Sequence, residues 1–221
     1  MLRELEEAVA DIRQLGGQMV GEIRVAAVPL ALLLLLPPAL RTFGREFPEV
    51  RMDVREELYI EQLAHLRAGE VDLTLGPVPE DLVSGEFRVE PLAPISMVVV
   101  GAPNSPLIKE RSLARLASAR WVYTSRTGST GYARRLHELH GLAPPPPAVV
   151  ANSTLALMSL VALGDFVGMM PLQITRHPAA APFMREIPIK EGPLELNLGA
   201  IVRKDAMLKP IVRHFLSLIH I

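Results

Sequence analysis

The sequence predicts an α/β protein with parallel strands arranged in two lobes, and three observations carry that prediction. Short alternating apolar runs recur between segments of helical periodicity along most of the chain, the pattern of strand–helix–strand units. The pattern runs twice, once before and once after the turn-forming stretch Gly101-Ala102-Pro103-Asn104-Ser105-Pro106, which reads as a crossing between lobes. With 221 residues, 49% of them hydrophobic, and a mean hydropathy of +0.27, the chain is long and apolar enough for one large core or two small ones, so whole-chain disorder is excluded.

The elements follow in order. Leu2, Leu5, Val9 and Ile12 form the seam of a short amphipathic helix that stops at Gly16-Gly17. Residues 22–27 read as the first strand, with Ile23, Val25 and Ala27 on one face, and 30–46 as a helix that Pro48 ends. Residues 50–55 alternate as a second strand. A helix over 59–68 stops at Gly69, a glycine in the position just past a helix end, and 71–76 forms a third strand entering the turn Gly76-Pro77-Val78-Pro79. Residues 95–100 are a strand. The second set comprises a strand at 121–124, a helix at 131–139, a strand at 148–151, a helix at 153–163 and a strand at 166–170. In the helix at 153–163, Leu155, Leu157, Met158 and Val161 are available for packing. Residues 194–202 return the chain to the first lobe, which a helix at 211–218 closes; two crossings imply a hinge.

Several function classes are excluded by composition. A net charge of −1 and 5% aromatic residues leave the chain without the basic surface or stacking platforms that grip nucleic acid unaided. Cysteine is absent, which removes thiol nucleophiles, disulfides and cysteine-based zinc sites. The uncharged run 25–40 is shorter than a membrane span and is broken by Pro29, Pro37 and Pro38, so no membrane association is expected. Its acidic, charge-mixed leader is unlike a secretory signal, which points to the cytoplasm. Charge is uneven: residues 41–100 carry 6 basic and 12 acidic side chains, residues 101–160 carry 7 and 2. Either this is solvated surface, or the first lobe of one subunit faces the second lobe of another.

Candidate chemistry is sparse. Of the six histidines, His137 and His140 lie three apart on a helix without an evident third ligand, so no metal is expected. Ser125, Ser129 and Ser153 lie outside any nucleophile motif, no phosphate-binding glycine loop occurs, and no catalytic residue is assigned. The segment from Thr124 through Ser125, Arg126, Ser129 and Thr130 to Gly131 connects a strand to a helix, where hydroxyls and backbone N–H groups converge on an anion or cap the helix. Ser153, after Asn152, stands in an equivalent place. Ligands of open α/β sheets bind beyond the carboxyl ends of strands, so these two loops line one edge. In the first lobe the matching places, 28–31 and Gly76-Pro77, are apolar.

The stretches GEIRVAAVPLALLLLLPPALRTFGREFPEV, LAHLRAGEVDLTLGPVP and LMSLVALGDFVGMMP, in that order, resemble the effector-binding region of LysR-type transcriptional regulators over about 22–218. The resemblance implies two Rossmann-like lobes joined by two crossovers, like type 2 periplasmic binding proteins. It places the end of a linker helix at 1–20, lobe I at 21–98 and 200–221, and lobe II at 99–199. It also implies a small-molecule effector held between the lobes, no cofactor, a homodimer or homotetramer, and DNA contact only through an N-terminal winged helix-turn-helix outside this chain. The implied effector contacts are Val28, Pro29 and Leu30, Tyr59, Gly76 and Pro77 in lobe I, and Thr124, Ser125, Arg126, Ser129, Thr130 and Ser153 in lobe II, with Arg126 as counter-charge and Tyr59 as a packing or hydroxyl contact. Leu30 stands where the family often has serine or threonine, and Pro77 where some members that bind aromatic acids have arginine. A monoanionic effector, or one of mixed polar and apolar character, follows. The rival readings are a transport solute-binding protein, which needs an export signal, and a two-lobed small-molecule enzyme, which needs a general acid or base.

Overall fold

A computed structural model of the chain describes residues 20–79, 82, 85–124, 131–204 and 208–219, with the side chains of 59 and 60 excepted. The amphipathic seam from Leu2 to Ile12 lies outside the described residues. The chain forms two compact units, one running to Ala93 and resuming at Asn197, the other spanning Pro94–Leu196.

Unit 1 begins with β1 (Gly21–Ala27), whose last five residues are buried. The single helix expected next is two: α1 (Pro29–Leu34) and α2 (Leu36–Glu46). Pro37 and Pro38 explain the break. Neither has an N–H to return to the carbonyls four residues back, so two successive rungs are missing and the chain restarts at Leu35 with the prolines in the new first turn. β2 (Val50–Glu56) pairs parallel with β1 over its full length. Next comes α3 (Tyr59–Arg67), after which Gly69 adopts φ +70°, a left-handed position that glycine takes without strain. β3 (Leu73–Pro77) pairs parallel with β1. Gly76 and Pro77 are therefore strand residues rather than a turn: they pair antiparallel with Gly199 and Leu198 of β9 (Leu194–Arg203).

The order in unit 1 is β2-β1-β3-β9, with the first half of β4 (Phe87–Gly101) next to β9. Ala26, Leu63, Leu66, Val71, Phe87 and Ile201 form a core cluster beneath α3. The closing helix α7 (Pro210–Ser217) packs on α2 through Phe215 and Phe43, edge to face at 5.2 Å, while His214 Nε2 meets Glu46 at 2.8 Å.

Unit 2 takes up the second half of β4 and adds β5 (Arg120–Tyr123), α4 (Tyr132–Leu139), β6 (Val149–Val150), α5 (Thr154–Ala162) and β7 (Phe166–Pro171). After α6 (Leu172–Thr175) comes the two-residue strand β8 (Arg185–Glu186) on β4. β6, β5 and β7 are parallel neighbours, and β4 pairs antiparallel with β7. The run from Gly101 to Pro106 lies inside this unit rather than at a crossing, with Ser105 donating to the Gly164 carbonyl at 2.6 Å. Trp121, Leu113, Leu116, Leu136 and Val167 lead the core. On α5, Leu157 and Val161 are buried one turn apart, but Leu155 is 71% exposed, because two residues of helix turn it about 200° away from Leu157.

Candidate functional site

In unit 1 three strand ends are tied together by backbone hydrogen bonds. The Val28 N–H donates to the Leu75 carbonyl at 2.9 Å and the Glu57 N–H to the Ala27 carbonyl at 3.1 Å. Pro29 opens α1, its missing donor costing nothing in a first turn, and Val28 stands at the N-cap position without a side-chain cap. Leu30 is 3% exposed, so its side chain belongs to the core, and Val28 is buried beside it. Tyr59 is the first residue of α3.

Sequence reasoning passed over Gln62, one turn into that helix. It is 1% exposed, and its Nε2 donates to the Glu57 carbonyl at 2.7 Å, bracing the loop between β2 and α3. Its Oε1 lies 3.1 Å from where a Cβ on Gly76 would stand, with Val28 Cγ1 at 3.3 Å from the same point. Val28, Gly76 and Gln62 thus meet, and glycine at 76 is what lets the amide fit. The available signal was a polar residue at the buried position of a helix that also buries Leu63 and Leu66.

In unit 2, Thr124 follows β5 directly and is half-buried; Ser125, Arg126, Ser129 and Thr130 lie outside the described residues. At this strand end there is a small hollow. Val122, Ala133, Leu157 and Met169 give it apolar walls, and Thr124 and Tyr132 give it hydroxyls. Burial pushes the Tyr132 phenol up to about 12, so it stays a neutral hydrogen-bonding group at physiological pH. The Ala151 N–H donates to the Tyr123 carbonyl at 2.9 Å, which brings the loop before α5 alongside the end of β5. There Ser153 Oγ accepts from the Ala156 N–H at 3.3 Å, the geometry of an N-cap. The described residues lining the hollow include no carboxylate, imidazole or amine, so they offer no acid–base pair of those groups.

Elsewhere, His65 Nδ1 lies 2.8 Å from Glu57 Oε2, and that bond, with the Glu57 and Glu70 charges, raises its pKa above the ordinary imidazole value. His137 is buried, with Nδ1 at 2.7 Å from the Ala133 carbonyl, and burial lowers its pKa. Among the described residues no three acidic or histidine side chains gather as metal ligands, and no helix is long and apolar enough to cross a membrane.

A family model described as the LysR substrate binding domain matches residues 16–220. The HTH-type transcriptional regulator GalR of Pseudomonas putida is 27% identical over 215 residues, which are 95% of this chain and 53% of that protein; the chain thus spans about half the length of this curated relative. The C-terminal domain of a probable LysR family transcriptional regulator from Rhodococcus sp. RHA1 superposes with a TM-score of 0.75 at 23% identity, covering 90% of this chain and 98% of that one. The CcmR regulatory domain of Synechocystis PCC6803, solved in complex with 2-PG, gives 0.76 at 17% identity, over 90% and 95% of the two chains. These two likenesses are of fold.

Proposed function

This chain belongs to the LysR substrate binding domain family, and from that premise we propose that it is the effector-sensing part of a transcriptional regulator. It holds a small molecule without altering its covalent bonds. The observation that carries the reading is the match of one family model along residues 16–220 of a chain that folds as two α/β units.

The strand-end loops named above supply the contacts: Val28, Pro29, Gly76 and Pro77 offer apolar shape and backbone groups, and Thr124, Ser125, Arg126, Ser129 and Thr130 offer hydroxyls and one positive charge. A monoanionic effector with an apolar body fits this set. In the whole regulator, DNA is contacted by sequence outside this chain, in the cytoplasm. Subunits pair as a homodimer or homotetramer in which the acidic stretch 41–100 of one copy faces the basic stretch 101–160 of another, and high salt weakens that pairing. Effector binding alters the subunit arrangement only to the extent that the two arrangements bind it with different affinity.

Thermal-shift screening and calorimetry test this with the monoanions benzoate and shikimate as probes, on the chain and on Arg126→Ala. At least one monoanion should raise the melting temperature of the parent chain, and the variant should bind it at least tenfold more weakly. Undiminished affinity in the variant removes Arg126 from the site. Turnover of a bound probe overturns the reading of a sensor.

A further inference from the structure

We infer that His137 is an acid-sensitive anchor, which holds α4 in the core of unit 2 while its ring is neutral and releases the helix when the ring takes up a proton. The imidazole is 1% exposed and lies edge to face against Trp121, with ring centroids 5.1 Å apart. Its Nδ1 makes a 2.7 Å contact with the Ala133 carbonyl one turn back, which fixes the tautomer: Nδ1–H donates, and Nε2 is left as an acceptor. Nε2 is buried and has no hydrogen-bond partner among the described residues. A second proton would therefore place a charge and an unsatisfied donor together in an apolar cluster of Leu113, Leu116, Trp121 and Leu136.

Several charged or polar groups on the surrounding elements are turned to other partners. On the 3-10 turn Leu113–Leu116, Arg115 reaches Glu110. On β5, Arg120 stacks over the Phe166 ring at 4.1 Å and the Tyr123 hydroxyl donates to the Pro145 carbonyl. On α4 itself, Arg134 meets Glu138, and Arg135 has a partner of its own. β7 carries no ionisable side chain. On the turn before β9, Glu191 favours the charged ring from a distance, but its Oε2 is held by the Leu113 N–H at 3.0 Å. Burial outweighs that attraction.

The backbone links the ring to both ends of the helix. The His137 carbonyl accepts from the His140 and Leu142 N–H groups, closing the turn after α4, while Gly131 and Tyr132 at the other end border the hollow beside Thr124. Release of α4 would open that hollow. Its consequence for effector affinity rests on the function proposed above; the release itself does not.

Hydrogen–deuterium exchange of the whole chain at pH 7.5 and 5.5, corrected for intrinsic exchange, reads the release directly and without a ligand. In the released state the imidazole titrates near 6.5, so α4 peptides should lose up to about tenfold in protection at pH 5.5. His140→Gln, exposed at the end of the same helix, should keep that loss, and His137→Gln should abolish it. Because a core substitution also changes packing, an NMR titration of the unmodified protein is the second arm: the His137 ring should remain in its neutral Nδ1–H form for as long as α4 is protected. Equal protection at the two pH values, persistence of the loss in His137→Gln, or a ring that titrates near 6.5 with α4 still protected would each overturn the inference.

Discussion

Among the described residues each unit buries one basic side chain, and the two are satisfied in opposite ways. In unit 1, Arg24 keeps its charge at 8% exposure because Asp72 meets it twice, at 2.9 Å and 3.2 Å, and also accepts the Arg24 backbone N–H at 2.8 Å. In unit 2, His137 survives at 1% exposure by staying neutral. A buried charge is stable only with its partner, whereas a buried neutral base is stable only without its proton. Unit 1 is therefore vulnerable to the loss of one carboxylate, and unit 2 to acid.

The strongest way to break this comparison is Asp72→Ala. It strands a guanidinium in the core of unit 1 and should cost about 3–5 kcal/mol in urea unfolding; the double change Arg24→Met with Asp72→Leu should recover most of that, and no recovery would mean that the pair is not the source. Gly199→Ala comes next. A Cβ there would stand 2.6 Å from Val78 Cγ2 and 3.2 Å from the Glu90 carbonyl, where β9 runs beside β4. About 1–3 kcal/mol should be lost in the same assay. The matching change in unit 2, Gly168→Ala, meets only the flexible Leu157 side chain at 3.3 Å and should cost less.

Acid sharpens the contrast by sign. His65 has a raised folded pKa, through its bond to Glu57 first, so its contribution is complete below about 6.5 and fades as pH rises through the folded value. His137 has a lowered one, through burial first, so its contribution is complete above about 6.5 and fades as pH falls toward the folded value. Between pH 7.5 and 5.5, peptides of β2 and α3 should hold or gain exchange protection while those of α4 and β5 lose it. Parallel behaviour in both units would erase the distinction. The smallest expected effect is local to unit 2: Ser153→Ala removes the α5 cap and should cost about 1 kcal/mol, read in the thermal midpoint.

Legibility differed between elements and sites for physical reasons. β1, β2, α3, α4, α5 and β7 were readable to within two residues because each is a short apolar or alternating run bounded by turn-forming residues. The first half of β4 was not. From the sequence a strand is expected only over 95–100, yet it runs from Phe87 to Gly101 through Pro91 and Pro94, since a proline is tolerated wherever the ladder does not call on its N–H. The loops at Val28, Thr124 and Ser153 could be placed at strand ends from spacing alone. Gln62 could not, because what distinguishes it is the space above Gly76, which belongs to another element.

The sequence by itself determined the alternation of strands and helices, the glycine stop at Gly69, the absence of thiol chemistry and the likeness to one regulator family, all of which depend on local periodicity or residue type. Tertiary structure decided the rest: that Gly76 and Pro77 pair with β9, that Leu155 faces outward, that Asp72 neutralises Arg24, and that His137 sits where a proton is unwelcome. These facts depend on which distant residues share a volume, and burial and partnering, unlike propensity, have no period along the chain.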